Sequence, residues 1–225
     1  MIHNEDDTTI GPVTSQPQRC NIANIPNVSP GLEYLTNLDR LFVKNEFPCC
    51  LPREFFIKNG SKEDIYIGID DDDCCRLGCS PQGMKVSDLH GNEVLRFTYF
   101  PGCMGSTFEV KTSSGQIIAC VKFESTWCSS TTTVTNHNDE TVLRLDRESF
   151  YKFKILTMDG DHVGSIKKLK YSGNFWNARY AMEINFDVNL DVHMKAALIA
   201  ASLLIDAKQR AAMAGATAGG IAAVV

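Results

Sequence analysis

The stretch DVHMKAALIAASLLIDA, Asp191 to Ala207, is the most apolar in the chain, and where it lies decides the fold. Between Lys195 and Asp206 stand ten residues, all apolar but Ser202. As a helix they rise about 1.5 Å each, about 15 Å in all, against a hydrocarbon core of about 30 Å. A helix that is apolar on every side yet too short to span a bilayer needs to be wrapped by protein. The expectation is a buried helix over about 192–206, centred on Ala196, Leu198, Ile199, Leu203 and Leu204. Asp191 is placed to cap its N-terminus, and Lys195 and Asp206 to reach toward the two mouths of whatever encloses it.

The preceding sequence supplies the wrapping. DIYIGI, EVLRFTYF, QIIACVKF, TVLRLD and FYKFKILTM are alternating or β-branched runs. They are separated by turn signals at Asn59-Gly60, His90-Gly91-Asn92, Ser114-Gly115, Asn136 to Asp139 and Asp159-Gly160. Serial hairpins of this kind predict a mainly β, antiparallel meander. The cleanest alternation runs from Met182 to Val192, where Met182, Ile184, Phe186, Val188, Leu190 and Val192 alternate with polar residues, predicting a strand with one buried face. A closed antiparallel barrel has an apolar interior and no edges, and can hold a central helix.

The flanks read differently. Residues 1–29 are polar and acidic with Pro12, Pro17 and Pro26, which predicts a disordered tail. Residues 207–225 are small and Gly-rich and predict a flexible one. The N-terminus lacks a basic, then apolar, secretory signal, and Ile2 stands where myristoylation requires glycine, so the chain is expected to face the cytosol. Nine cysteines in that compartment are expected to be mostly reduced. A formal net charge of −5 disfavours nucleic acid as a partner, since the only local basic run is Lys167, Lys168 and Lys170. No nucleotide-binding phosphate loop and no Ser-His-Asp, Cys-His or paired-carboxylate spacing stands out, which argues against a hydrolytic enzyme.

PGLEYLTNLDRLFV (Pro30 to Val43), DDDCCRLGCS, STW at Ser125 to Trp127, and LDVHMKAALIAASLLID (Leu190 to Asp206) together resemble the phospholipid scramblase family over about residues 30–206. The resemblance implies a tubby-like fold, a twelve-stranded antiparallel barrel closed around the C-terminal helix. It also implies ATP-independent, calcium-responsive, bidirectional movement of phospholipids between leaflets, by a non-hydrolytic translocator. Such a protein would sit on the cytoplasmic face of a membrane, the plasma membrane first, held there partly by palmitoylated cysteines. Its partners would be phospholipid and possible protein partners. The alternative is a tubby-like regulatory module that binds lipid or protein without scrambling.

Two departures from the family pattern matter. The acidic calcium segment before the helix here reads NARYAMEINFDVN, with Ala178 and Tyr180 in place of its first acidic pair. The remaining calcium candidates are Glu183, Asp187, Asn189 and Asp191, and alternate residues of a strand stand about 7 Å apart, too far for one tight cage. The family's dense cysteine cluster is reduced to Cys103 in FPGCMGSTF, leaving Cys49, Cys50, Cys74, Cys75 and Cys103 as acylation candidates. A zinc set of Cys74, Cys75, Cys79 and His90 lacks paired ligand spacing.

Overall fold

The structure, a computed structural model, describes residues 28–46, 54–70, 83–101, 105–125, 130–170 and 180–221. After a 3-10 turn at Glu33–Leu35 come twelve strands and one helix. The strands are β1 (Arg40–Glu46), β2 (Glu54–Lys58), β3 (Asp64–Asp70), β4 (Gly83–Asp88), β5 (Glu93–Pro101), β6 (Gly105–Thr112), β7 (Ile117–Ser125), β8 (Ser130–Asn136), β9 (Thr141–Ser149), β10 (Lys152–Thr157), β11 (His162–Lys170) and β12 (Tyr180–Phe186). The helix α1 follows at Val192–Ile221. Each strand pairs antiparallel with its sequence neighbour and β1 closes on β12, so the sheet is a complete barrel with no edge. This is the twelve-stranded barrel around a helix that the family resemblance implies, and the serial hairpins read from the turn signals are its antiparallel pairs.

Strand direction alternates, so the connections after even-numbered strands all fall at one end of the barrel. That end is built from tight turns. Asp88 Oδ1 accepts from the amides of His90 and Asn92, and Asn136 Oδ1 from those of Asn138 and Glu140. Such side-chain acceptors substitute for the ladder just where the chain must reverse. The helix begins at this same end, entering after β12. The opposite end carries the connections after odd-numbered strands, and there the helix comes out.

The lumen is filled by alternate side chains from every strand and by α1. Every residue from Ala196 to Ile205 is buried. Leu198 and Ile199 are 0% exposed and each contributes roughly 1.5–3 kcal/mol through burial. Ser202, the one polar residue of that run, donates its hydroxyl to the Ile199 carbonyl at 2.7 Å. Gly68 lies so close to the Phe55 ring that a Cβ there would enter it.

Two expectations are corrected. The strand predicted from Met182 to Val192 stops at Phe186. Asp187 Oδ1 accepts from the Asn189 amide at 2.8 Å and the Asp187 carbonyl from the Leu190 amide at 3.0 Å, which turns the chain and leaves Val188 exposed. The small-residue tail predicted as flexible from 207 instead continues the helix to Ile221. Alanine dominates it, and its high helix propensity outweighs the cost of Gly215, Gly219 and Gly220 when the helix is already nucleated inside the barrel.

Asp191 caps the helix as the sequence suggests, its Oδ1 accepting from the amides of His193 at 2.9 Å and Met194 at 3.2 Å. Asp191→Ala is expected to cost about 1 kcal/mol in a denaturant titration, with an unchanged m-value.

Candidate functional site

The two charged residues that bracket the apolar run do not reach solvent. Lys195 is fully buried at the turn end. Its Nζ shares its three N–H donors among four carbonyls, those of Leu35 at 3.1 Å, Thr36 at 2.9 Å, Leu38 at 2.9 Å and Val188 at 2.7 Å, and lies 5.3 Å from the Phe186 ring centroid. These carbonyls belong to the 3-10 turn region and the β12–α1 connection, so one ammonium ties together the lid of the barrel. Burial pushes the Lys195 pKa below the ordinary lysine value, opposed by the fields of Asp187, Asp191 and Asp39.

At the exit end Asp206 is 2% exposed and meets the buried Lys168, Nζ to Oδ1 2.8 Å. Asn45 Nδ2 donates to Asp206 Oδ2 at 2.8 Å, and Arg210 Nε lies 3.2 Å from the same oxygen. Lys168 Nζ also reaches Gln209 Oε1 at 3.3 Å, and Gln209 Nε2 donates to the Phe150 carbonyl of the β9–β10 turn. The helix is therefore fastened to β1, β11 and the β9–β10 turn at one level. The isolated charges of the sequence become internal anchors because each finds several partners, without which a buried charge is costly.

The calcium candidates perform separate tasks. Glu183 lies in the middle of β12, opposite Phe42 and Lys167, with Arg40 Nε 3.8 Å from its Oε1. Asp187 holds the turn, Asn189 supplies that turn's amide, and Asp191 caps the helix. The fields of Asp187 and Asp191 also act on the Lys195 ammonium. Among the described residues no three His, Cys, Asp or Glu side chains come together as a metal set. Those present do not fit the six to eight oxygens that calcium takes.

The acylation candidates Cys49, Cys50, Cys74, Cys75 and Cys103 lie outside the described residues, as does Cys79. They fall in the β1–β2, β3–β4 and β5–β6 connections, whose flanking strands all terminate at the helix-exit end. Cys120, on β7, is half-buried, and burial raises its thiol pKa, which leaves it a weak nucleophile at neutral pH.

A cavity of about 710 Å³ opens at the turn end beside the helix N-terminus, with Val28, Ile118, Val142 and Met194 among its lining and Gln116, Asn136 and His137 on its polar side. It holds a feature the sequence did not disclose. Ser29 Oγ lies 3.3 Å from His193 Nε2, and His193 Nδ1 lies 3.7 Å from Asp191 Oδ1. This resembles a nucleophile, base and orienting acid. It does not form one, because 3.7 Å is no hydrogen bond and that oxygen already accepts two helix amides. A separation of 164 residues between Ser29 and His193 leaves no local spacing from which to find the pair.

No helix among the described residues is long and apolar enough to cross a membrane. A family model described as Scramblase matches residues 19–209. Phospholipid scramblase 2 of Bos taurus is 30% identical over 212 residues, covering 80% of this chain and 71% of that one. Phospholipid scramblase 4 of Homo sapiens is 30% identical over 225 residues, with 87% and 67% covered, and phospholipid scramblase 1 of Mus musculus 28% over 212, with 80% and 63%. A solved protein of Arabidopsis thaliana superposes with a TM-score of 0.48 at 10% identity, covering 80% of this chain and 99% of that one.

Proposed function

The chain belongs to the scramblase family, and from that premise we propose that it acts at phospholipid membranes, moving lipid between leaflets without nucleotide and without covalent chemistry. The observation that carries this reading is the family match across residues 19–209, which includes the whole barrel and the buried part of its helix. In this proposal lipid does not pass through the barrel. The lumen is filled by α1 and its charged ends are consumed by Lys195 and the Asp206 cluster, so a headgroup has no polar path inside. Lipid movement then has to occur where the outside of the protein disturbs the bilayer. Purified protein in liposomes labelled in one leaflet tests this: loss of leaflet asymmetry proportional to protein, without nucleotide, is the expected result. Stable asymmetry at saturating protein would favour the second reading, a tubby-like module that docks on lipid or a protein partner, which the filled lumen also suits.

Calcium responsiveness enters the proposal only as a weak effect. With Glu183, Asp187, Asn189 and Asp191 committed to separate contacts, affinity is expected at about millimolar or weaker. A calorimetric titration is expected to show no binding at micromolar calcium. Micromolar affinity lost in Asp187→Ala would overturn this. Location on the cytoplasmic face of the plasma membrane, and acylation among Cys49, Cys50, Cys74, Cys75 and Cys103, belong to the same proposal.

A further inference from the structure

The cavity beside the start of α1 has no part in the functional reading above. At about 710 Å³ it lies within the range of small-molecule sites, about 300–1,000 Å³. Its walls come from four places: Val28 and Ser29 ahead of the 3-10 turn, Ile118 on β7, the β8–β9 turn with Val142 on β9, and the first turn of α1. Each wall is held by its own bonds. The Ser29 carbonyl accepts from the Leu32 amide at 3.1 Å and the Gln116 carbonyl from the Thr112 amide at 2.9 Å, while Asn136 and Asp191 accept from their own turn and helix amides. The cavity is therefore formed before anything enters it.

Its apolar side is Val28, Ile118, Val142 and Met194, with Ile118 and Met194 buried. Among the described residues no lysine or arginine lines it. Asn136 is fully engaged: its Oδ1 accepts two amides, and its Nδ2 donates to Glu140 Oε2 at 2.8 Å. Two fields oppose each other at the mouth. A carboxylate head entering here meets Asp191, and an ammonium head meets the positive end of α1, so an uncharged head is the one both tolerate. Ser29 Oγ and His193 Nε2 offer a place for that head. At 3.3 Å their contact is longer than the usual range of about 2.7–3.2 Å, so it is cheaply exchanged. A hydroxyl both donates and accepts, and so serves either tautomer of His193.

We propose that this cavity binds a neutral amphiphile, a molecule with a hydroxyl head and an apolar body. The hydroxyl takes the place of Ser29 Oγ on His193 Nε2, and the body lies along Val28, Ile118, Val142 and Met194. Met194 suits a ligand of variable shape, since an unbranched thioether side chain adapts to what it packs against. The site stands whether or not the protein moves lipid, because its lining residues carry no step of that activity.

The test uses the full chain at about pH 8, above the ordinary histidine pKa, with 1-decanol, decanoate and decylamine as probes. Each is kept below the concentration at which it self-associates. Binding is read by calorimetry and by the ring signals of His193 in nuclear magnetic resonance. Decanol is expected to bind about tenfold or more tighter than either charged probe, the effect of one unfavourable charge, and to shift the His193 ring. His193→Phe keeps the wall but loses the polar partner, and is expected to weaken decanol binding about fivefold. Ser29→Ala removes the competitor for His193 and is expected to strengthen it about twofold. Val142→Trp fills the cavity and is expected to abolish binding in a protein that remains folded. Charged probes that bind as well as decanol overturn the proposal, as does decanol binding unchanged in His193→Phe or in Val142→Trp. A wild type that binds no probe also overturns it; decanol binding gained in Ile22→Asp with Ile25→Asp would then assign the cavity to the chain's own segment ahead of Val28.

Discussion

Ala200→Arg is expected to yield no folded barrel. Ala200 is 0% exposed, with Leu198, Ile199, Ala201 and Ser202 around it equally enclosed, so the guanidinium would meet packed apolar walls on every side. A buried charge without a partner costs several kcal/mol, and the overpacking of a filled lumen adds more. Both fall on a domain whose whole stability is about 5–15 kcal/mol. The measurements are near-ultraviolet circular dichroism and limited proteolysis: loss of the near-ultraviolet signal and rapid cleavage are expected. Ala200→Ser is the control, since its hydroxyl can return to a helix carbonyl as Ser202 does, and should remain folded. Soluble, protease-resistant Ala200→Arg protein would mean that this segment is not the core. It would also return the helix to the membrane reading that the short apolar run between Lys195 and Asp206 argues against.

That core was legible from the sequence because it rests on local quantities. Ten residues between two charges set a length, and the Asn, Asp and Gly signals set the turns that later proved to share one end. Asp191 stood one residue before the helix it caps. The rest depends on contacts far apart in the chain. Nothing local to Lys195 indicates that it meets carbonyls of Leu35, Thr36 and Leu38, about 160 residues earlier, so exposure at a barrel mouth was the natural expectation. The strand pattern ran on past Phe186 because Val188, Leu190 and Val192 keep the period of two, although Asp187 turns the chain and only the closure of β12 on β1 shows where pairing ends. The calcium candidates that the resemblance implies lie along the same pattern, and it breaks at the same place. The helical run from Ala207 was hidden for the opposite reason: glycines argued for flexibility, and the nucleus that sustains the helix lies inside the barrel.

Asp206→Ala should be the most damaging substitution that leaves the apolar core untouched. Lys168, 5% exposed, would lose the carboxylate 2.8 Å from its Nζ, and Asn45 would lose its acceptor. Removing one partner of a buried pair costs about 3–5 kcal/mol, because the remaining charge stays desolvated. For a chain of this size that lowers the melting temperature by roughly 6–20 °C. The same physics predicts recovery when both charges go: Asp206→Leu combined with Lys168→Met should regain most of the loss, since the penalty lies in the orphaned ion and not in the absence of the pair. Calorimetry of Asp206→Leu, Lys168→Met and the double variant closes the cycle, and a coupling below about 0.5 kcal/mol would show that the pair does not act as a unit.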